Sequence, residues 1–546
     1  MKKYLIVLVL FCTNVILAQN TTVVQNPILK GFYPDPSICR VGEDYYLVNS
    51  TFSYFPGLPI FHSKDLAHWE QIGNAMDRTT QLNLDGLGIS RGLFAPAIRY
   101  NNGTFYITCT LIDNGNNFVI TTTDLSKGWS DPIWLPEVEG IDPSLFFDDT
   151  NRGYIIYNSD PPNKVYVYDG HRSIKIVEFD VATNKVISSP EIIVNGGADI
   201  SQKPVWIEGP HLFKKDGFYY LIAAEGGTDV NHSEVVFRSK NVLGPYESYA
   251  QNPILTQRNL DPNRKDPVTS TGHADFVEDA NGNWYAVFLG CRPYEGGFFN
   301  TGRETFMAPV SWEMGWPKIN LEGEVVKKNY TLKTKPATAI KSNRDLFVDE
   351  FNGTSLDYQW MFLRTPHEKW YSLDSKKGAL TLKTRPETVS GTGNPSFIGF
   401  RQQHLVGEVS TEMEFSTKKE NEKSGLLAFQ NESHFYYFCQ SVKNDKNVVQ
   451  LYKSNGEAVD EIKSVTIDSK EKLFLKIVAN GPVYSFEYSF DNKKWITLAD
   501  QVDAKFLSTQ VGGGFVGAFY AMYTTSMGQE SANQAQFNWF KNSNTK

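Results

Sequence analysis

The chain has 546 residues, with 53 lysines and arginines against 61 aspartates and glutamates and a formal charge of −8. That balance offers no basic field for a nucleic-acid backbone, and the length exceeds one ordinary domain, so two or three are expected. Aromatic residues make up 14%, and an aromatic-rich, mildly acidic composition suits a neutral ligand such as a sugar.

The first stretch, MKKYLIVLVLFCTNVILAQN, sets Lys2 and Lys3 before an apolar run that ends at Ala18. This is the pattern of a cleaved export signal, too short and wrongly flanked for a permanent span. Cys12 lies inside the run without the small residues that precede a lipidated cysteine. No later stretch approaches the ~20 apolar residues that cross a bilayer. Residues 1–18 are therefore expected to be removed, and the mature protein to be exported, periplasmic or extracellular, without a membrane span.

Next comes FYPDPSI, residues 32–38, in which two prolines flank Asp35. Proline fixes its own φ and pushes the preceding residue towards extended backbone, so Asp35 is expected on a stiff, extended mount. The phrase around it recurs: an acidic or small residue near Pro, an apolar pair, a turn with Gly or Asn, then an aromatic strand. The copies are YPDPSICRVGEDYYLVNST from Tyr33, FAPAIRYNNGTFYITCT from Phe94 and IDPSLFFDDTNRGYIIYN from Ile141. IEGPHLFKKDGFYYLIAA from Ile207 and GHADFVEDANGNWYAVFLG from Gly272 complete the set. Units of roughly 45–65 residues built this way predict a five-bladed β-propeller over residues 25–325. A sandwich with chance similarity would not repeat the unit five times in order.

After residue 325 the text turns Lys- and Thr-rich, a connecting segment over 326–344. Strands then resume: YSFEYSF alternates, with Tyr484, Phe486, Tyr488 and Phe490 expected on one buried face. About a dozen such runs over 345–546 predict a β-sandwich. Cys39, Cys109, Cys291 and Cys439 lack CxxC spacing, so neither a zinc site nor a disulfide framework is expected, only buried thiols in strands.

In a propeller the first strand of every blade follows the central channel, so equivalent positions form a ring. Here the ring reads Asp35, Ala95, Asp142, Glu208 (displaced by one, before Gly209) and His273. Taken singly, Asp-Pro is a turn, Glu-Gly a bend and His273 a core histidine. Together, three carboxylates at one end of a channel are costly unless their environments separate an acid from a base. Glycoside hydrolysis needs that separation, one protonated carboxyl and one ionised. Glu208, beside Trp206 and Ile207, is the candidate acid, Asp35 the base, and Asp142 the charge between them. Clustered acids also hold cations, but histidine is a poor calcium ligand and the spacing matches no calcium loop. No metal site is assigned and the chemistry requires no cofactor, while a calcium ion in the channel near His273 stays compatible with the sequence.

YPDPSI, GIDPS and EGPHLFK resemble, in order, the three catalytic motifs of glycoside hydrolase family 43, and STFSYFPGLPIFHSKDLAHW and GRETF resemble its β-xylosidase and α-L-arabinofuranosidase branch. The resemblance implies a five-bladed propeller, inversion of anomeric configuration, and Asp35 as general base, Asp142 as pKa modulator and Glu208 as general acid. It further implies that Phe52 and Phe94 line the sugar pocket and that Arg303 bonds ring hydroxyls; the alternatives are core packing and an ion pair with Glu304. The C-terminal half resembles the concanavalin-like sandwich of such enzymes, from which Phe515, in GGGFVGAFYAMY, would close the pocket. The expected function is release of terminal xylose from xylan-derived oligosaccharides. The alternatives are an α-L-arabinofuranosidase or dual activity and, from another class, a non-catalytic carbohydrate-binding protein. Oligomeric state is not legible in the sequence.

Overall fold

The computed structural model describes residues 21–321, 323–333, 345–456, 458–468 and 472–545. The expected export signal with Cys12, and the linker from residue 334 to 344, lie outside the described residues. Five sheets follow one another along the chain. Blade 1 comprises Ser37–Val41, Asp44–Val48, Gly57–Ser63 and Glu70–Met76. The inner strands of blades 2 to 5 are Ala97–Asn101, Ile141–Phe147, Glu208–Lys215 and Thr269–Glu278.

Each inner strand is followed by a tight turn and a second strand apolar on both faces, as befits a sheet stacked between two others. In Thr104–Ile112, for example, Ile107, Cys109 and Leu111 join one core while Tyr106 joins another. The channel below its mouth is filled rather than open. Arg99 of blade 2 donates to Asp275 of blade 5 at 2.7 and 3.1 Å, and to His211 Nδ1 of blade 4 at 2.9 Å. Ser37 of blade 1 donates to the same Asp275 at 2.7 Å. A buried ion pair thus ties four blades, and burial pushes the His211 pKa down to about 3, leaving its Nδ1 free to accept.

The propeller extends beyond its expected limits of 25 and 325. Thr22–Gln25 pairs antiparallel with Asn329–Leu332, and the Asn26 side chain holds Met307 and Lys327. The first part of the expected linker is therefore a strand that clasps the N-terminal segment to the last blade.

The C-terminal half packs an eight-stranded sheet against a six-stranded one. Tyr484, Phe486 and Tyr488 point into its core as expected, but Phe490 lies past the end of its strand and is 45% exposed. The alternation stops there because the strand ends in a turn at Ser489–Asp491. Among the described residues Cys39, Cys109, Cys291 and Cys439 are buried and free, in strands.

The two halves are stitched by backbone as well as side chains. Tyr54–Phe55 of the propeller pairs with Phe362–Leu363 of the sandwich. Buried Arg401 donates to Phe32 O at 2.7 Å and stacks over Tyr33 at 4.2 Å. One apolar cluster runs from Phe55, Leu82 and Leu84 through to Phe362, Trp370 and Phe400 without a break.

Candidate active site

At the channel mouth the backbone makes one manoeuvre four times. Asp35, Asp142, Gly209 and His273 have φ of +52°, +55°, +55° and +53°. In blades 3, 4 and 5 the ladder register slips at the same place, between Ile141 and Ser144, Glu208 and His211, and Gly272 and Asp275. A left-handed residue at a bulge re-aims a side chain, here towards the axis. Blade 2 supplies Ala95, buried and without the kink.

Asp35 is thus left-handed, not extended as its prolines suggest. The bias is overridden by distant hydrogen bonds: the Asn49 amide donates to Tyr33 O and Pro34 O at 3.1 and 2.9 Å, and Thr305 donates to Tyr33 O at 2.7 Å. Such backbone costs about 1–3 kcal/mol at a non-glycine residue and persists only where neighbours over-determine it.

The three carboxyls are buried, yet their surroundings differ. Ser50 donates to Asp35 Oδ2 at 2.6 Å and Arg303 to Oδ1 at 3.1 Å, with His273 Nδ1 3.9 Å from Oδ1. Burial pulls the Asp35 pKa upward, but Arg303, His273 and Ser50 together outweigh it and hold the group below the ordinary aspartate value. Glu208 has the opposite balance: burial first, then the charges of Asp142 and Asp35, push its pKa well above the usual range. Asp142 stands between, lifted to about 6 by burial, with His273 opposing and Asp35 adding to the rise. Its Oδ2 accepts from Gly209 N at 3.1 Å, which ties it to the residue next to Glu208. His273 completes the ring: a Cβ on Gly209 would fall 2.7 Å from its Nε2, so only glycine lets the imidazole lie so close.

An aromatic wall adjoins this charge. Phe52 stacks on Phe515 at 5.7 Å, and Phe94 meets Phe52 and Phe515 edge-on at 5.5 and 6.2 Å. The structure therefore brings Phe52, Phe94, His273, Arg303 and Phe515 together around the carboxyls. Arg303 lies 6.0 Å from the Phe52 ring and 5.5 Å from that of Phe515, while it pairs with Asp35. Glu304, its expected alternative partner, instead pairs with Arg292 at 2.5 Å. Phe515 arrives from the sandwich, its N–H donating to Ser90 Oγ of the propeller at 2.9 Å.

Several supporting residues escape a reading of motifs alone. Thr110 accepts from Asp142 N at 3.2 Å and donates to Asn117 Oδ1 at 2.6 Å. The Asn117 amide in turn holds Val138 O and Gly140 O at 2.7 and 2.9 Å, fixing the approach to Asp142. The signal for Ser50, Thr110 and Asn117 is their polarity inside otherwise apolar strand text.

Among the described residues no group of three or more His, Cys, Asp or Glu is placed to hold a metal ion. The carboxylate beside His273, Asp35, is already engaged by Arg303 and Ser50, which is not the oxygen-rich cage calcium takes.

Residues 24–317 match the family model for glycosyl hydrolases family 43, and residues 348–543 that for the beta xylosidase C-terminal concanavalin A-like domain. A xylosidase/arabinosidase of Butyrivibrio fibrisolvens is 41% identical over 530 residues, covering 95% of this chain and 99% of that protein. A non-reducing end alpha-L-arabinofuranosidase of Bacteroides ovatus is 36% identical over 549 residues, covering 98% and 97%. Among solved structures, a xylan beta-1,4-xylosidase from Bacillus halodurans superposes with a TM-score of 0.86 at 31% identity, covering 95% and 100%.

Proposed function

The chain belongs to glycosyl hydrolases family 43, and on that premise we propose that it is an inverting, exo-acting hydrolase that releases terminal xylose from xylan-derived oligosaccharides. One observation carries the reading: buried carboxyls stand in opposite electrostatic settings beside an aromatic wall, Asp35 pushed towards the ionised form by Arg303, His273 and Ser50, and Glu208 towards the protonated form by burial and the charges of Asp142 and Asp35. A binding protein has no use for that split, so the non-catalytic alternative falls.

In this mechanism Asp35 takes a proton from a water as its oxygen bonds the anomeric carbon. The bond to the leaving oxygen breaks, and the Glu208 proton passes to that oxygen. Asp142 keeps the proton on Glu208 by its charge and, through Gly209 N–H, fixes the adjoining backbone. Arg303 and Ser50 aim the base, which is the positioning an attacking water needs. Phe52, Phe94 and Phe515 are assigned the walls of the sugar pocket, with Arg303 also in reach of ring hydroxyls. No metal or other cofactor is given a step. Export is part of the proposal and rests on the pattern of residues 1–18.

The second reading is an α-L-arabinofuranosidase or a dual enzyme, favoured by the names of the Butyrivibrio and Bacteroides relatives. Assaying 4-nitrophenyl β-D-xylopyranoside and α-L-arabinofuranoside side by side separates the two. Hydrolysis of the xyloside at least tenfold faster supports the first. In the same assay with xylobiose, Glu208→Gln should lose about 10²–10⁴-fold in kcat; unchanged turnover would remove Glu208 as the acid.

A further inference from the structure

Asp35 is carried by residues 31–34, and most of the groups that hold this run belong to the propeller. Gly31 N donates to Glu304 Oε1 at 2.6 Å, and Tyr33 N to Arg303 O at 3.1 Å. Tyr33 O and Pro34 O accept from Asn49, and Tyr33 O also from Thr305. Phe32 O differs: its donor, Arg401 Nε at 2.7 Å, comes from the sandwich.

Arg401 ends the strand Ser396–Arg401 and lies opposite Phe519 of the neighbouring strand, Phe519–Thr525. It is buried, and its guanidinium lies 4.2 Å from the Tyr33 ring and 5.7 Å from that of Phe519. Nη1 reaches the Tyr33 hydroxyl at 3.4 Å, while Nη2 has no partner. Among the described residues no carboxylate pairs with it. The ionisable groups facing it are Tyr33 and Tyr54, and burial pulls its pKa below the ordinary arginine value. Arg364, as deeply buried in the same domain, has Glu432 as its counter-charge. A buried cation without one costs stability that a well-packed apolar side chain does not. Adhesion between the domains therefore does not explain Arg401, whereas its hold on Phe32 does. The Phe32 ring is fixed separately, by Phe52, Tyr54 and Phe519 at 5.9, 6.2 and 6.2 Å. What Arg401 adds is the direction of the peptide that leads to Asp35.

We propose that Arg401 is a positioning residue for the general base: by fixing Phe32 O from the second domain, it sets the line along which the Asp35 carboxylate meets the attacking water. The inference rests on the hydrolase reading above and adds to it a residue that touches neither substrate nor reacting atoms. Arg303, His273, Ser50 and His232 already hold Asp35 ionised, so the part left to Arg401 is geometric. A small misplacement of a base is enough to slow the attack of water, because the reaction needs the water in line with the bond that breaks. The walls Phe52, Phe94 and Phe515 do not depend on this hold, so binding of the sugar is separable from it.

Arg401→Met, Arg401→Gln and Arg401→Lys are to be compared with the parent on xylobiose and on 4-nitrophenyl β-D-xylopyranoside, or on the corresponding arabinosides if the parent prefers those, with thermal unfolding recorded alongside. The two neutral variants are expected to fold and to lose about tenfold in kcat, with KM changed by less than about twofold. The loss should be similar on both substrates, since the defect lies in the attack of water and not in protonation of the leaving group. Arg401→Lys keeps a charged donor for Phe32 O and should recover kcat to within about threefold of the parent. Full kcat in a folded neutral variant, a loss confined to KM, or an Arg401→Lys no better than Arg401→Met would overturn the assignment. Failure of both neutral variants to fold would make Arg401 a structural residue and overturn it as well. A parent inactive on every glycoside would instead sink the hydrolase reading, so the two failures stay distinguishable.

Discussion

Asp35 and Glu208 are both buried and acidic, yet one is held below its ordinary pKa of 3.8 and the other well above 4.5. Activity requires Asp35 ionised and Glu208 protonated, so the rate should fall on the acid side only below about pH 4. On the basic side it should fall where Glu208 finally loses its proton. The sign of the Asp142 effect follows. A nearby negative charge raises the Glu208 pKa, so Asp142→Asn should move the basic limb of the pH–rate profile to lower pH and leave the acidic limb in place. A basic limb that stays or moves up would contradict the assigned role. At this scale the sequence is largely legible, because Asp-Pro and Glu-Gly-Pro at strand heads mark all three carboxyls. What it hides is the left-handed turn of Asp35, imposed by Asn49 across the first hairpin and by Thr305 far along the chain. It also hides the pairing of Arg303 with Asp35 rather than with Glu304.

Between elements, one close backbone approach near the site is glycine on glycine. A Cβ on Gly517 of the sandwich would fall 2.7 Å from Thr301 O and 2.8 Å from Gly302 N of the propeller. One residue after Gly302 comes Arg303, and two before Gly517 comes Phe515, whose carbonyl faces the guanidinium at 3.5 Å. This contact therefore sets the base's partner and the aromatic wall together. Gly517→Ala should cost about 1–3 kcal/mol as overpacking. It should also raise KM for xylobiose several-fold, read from steady-state kinetics alongside thermal unfolding. An unchanged KM would show that the loop is seated independently. The run GGGFVG is legible as an unusual loop; its docking is not, since nothing local tells Gly517 that Thr301 and Gly302 will face it. The repeated strand phrase is legible for the opposite reason: turn, alternation and aromatic strand all lie within one unit.

Across the whole molecule, the second domain is part of the site rather than an appendage. The apolar cluster shared by propeller and sandwich, the strand pair Tyr54–Phe55 with Phe362–Leu363, and the hydrogen bonds from Arg364 Nε to Leu87 O and from Ile89 N to Glu432 join the two domains at this face. A chain of residues 21–333 would expose Phe55, Leu82 and Leu84 and lose Phe515. It should be recovered aggregated, or soluble with activity reduced at least a hundredfold, as judged by size-exclusion chromatography and the nitrophenyl assay. A soluble monomer of full activity would contradict this. The domain order is legible from the change of text after residue 325. The clasp of Asn329–Leu332 on Thr22–Gln25 is not, because a short edge strand carries too little pattern to stand out from a linker. The account as a whole turns on a base and an acid acting in one displacement with a water. The most direct measurement is ¹H NMR of the sugar formed in the first minutes of β-xyloside hydrolysis, before mutarotation. The account predicts α-xylose as the first product; β-xylose appearing first would contradict it.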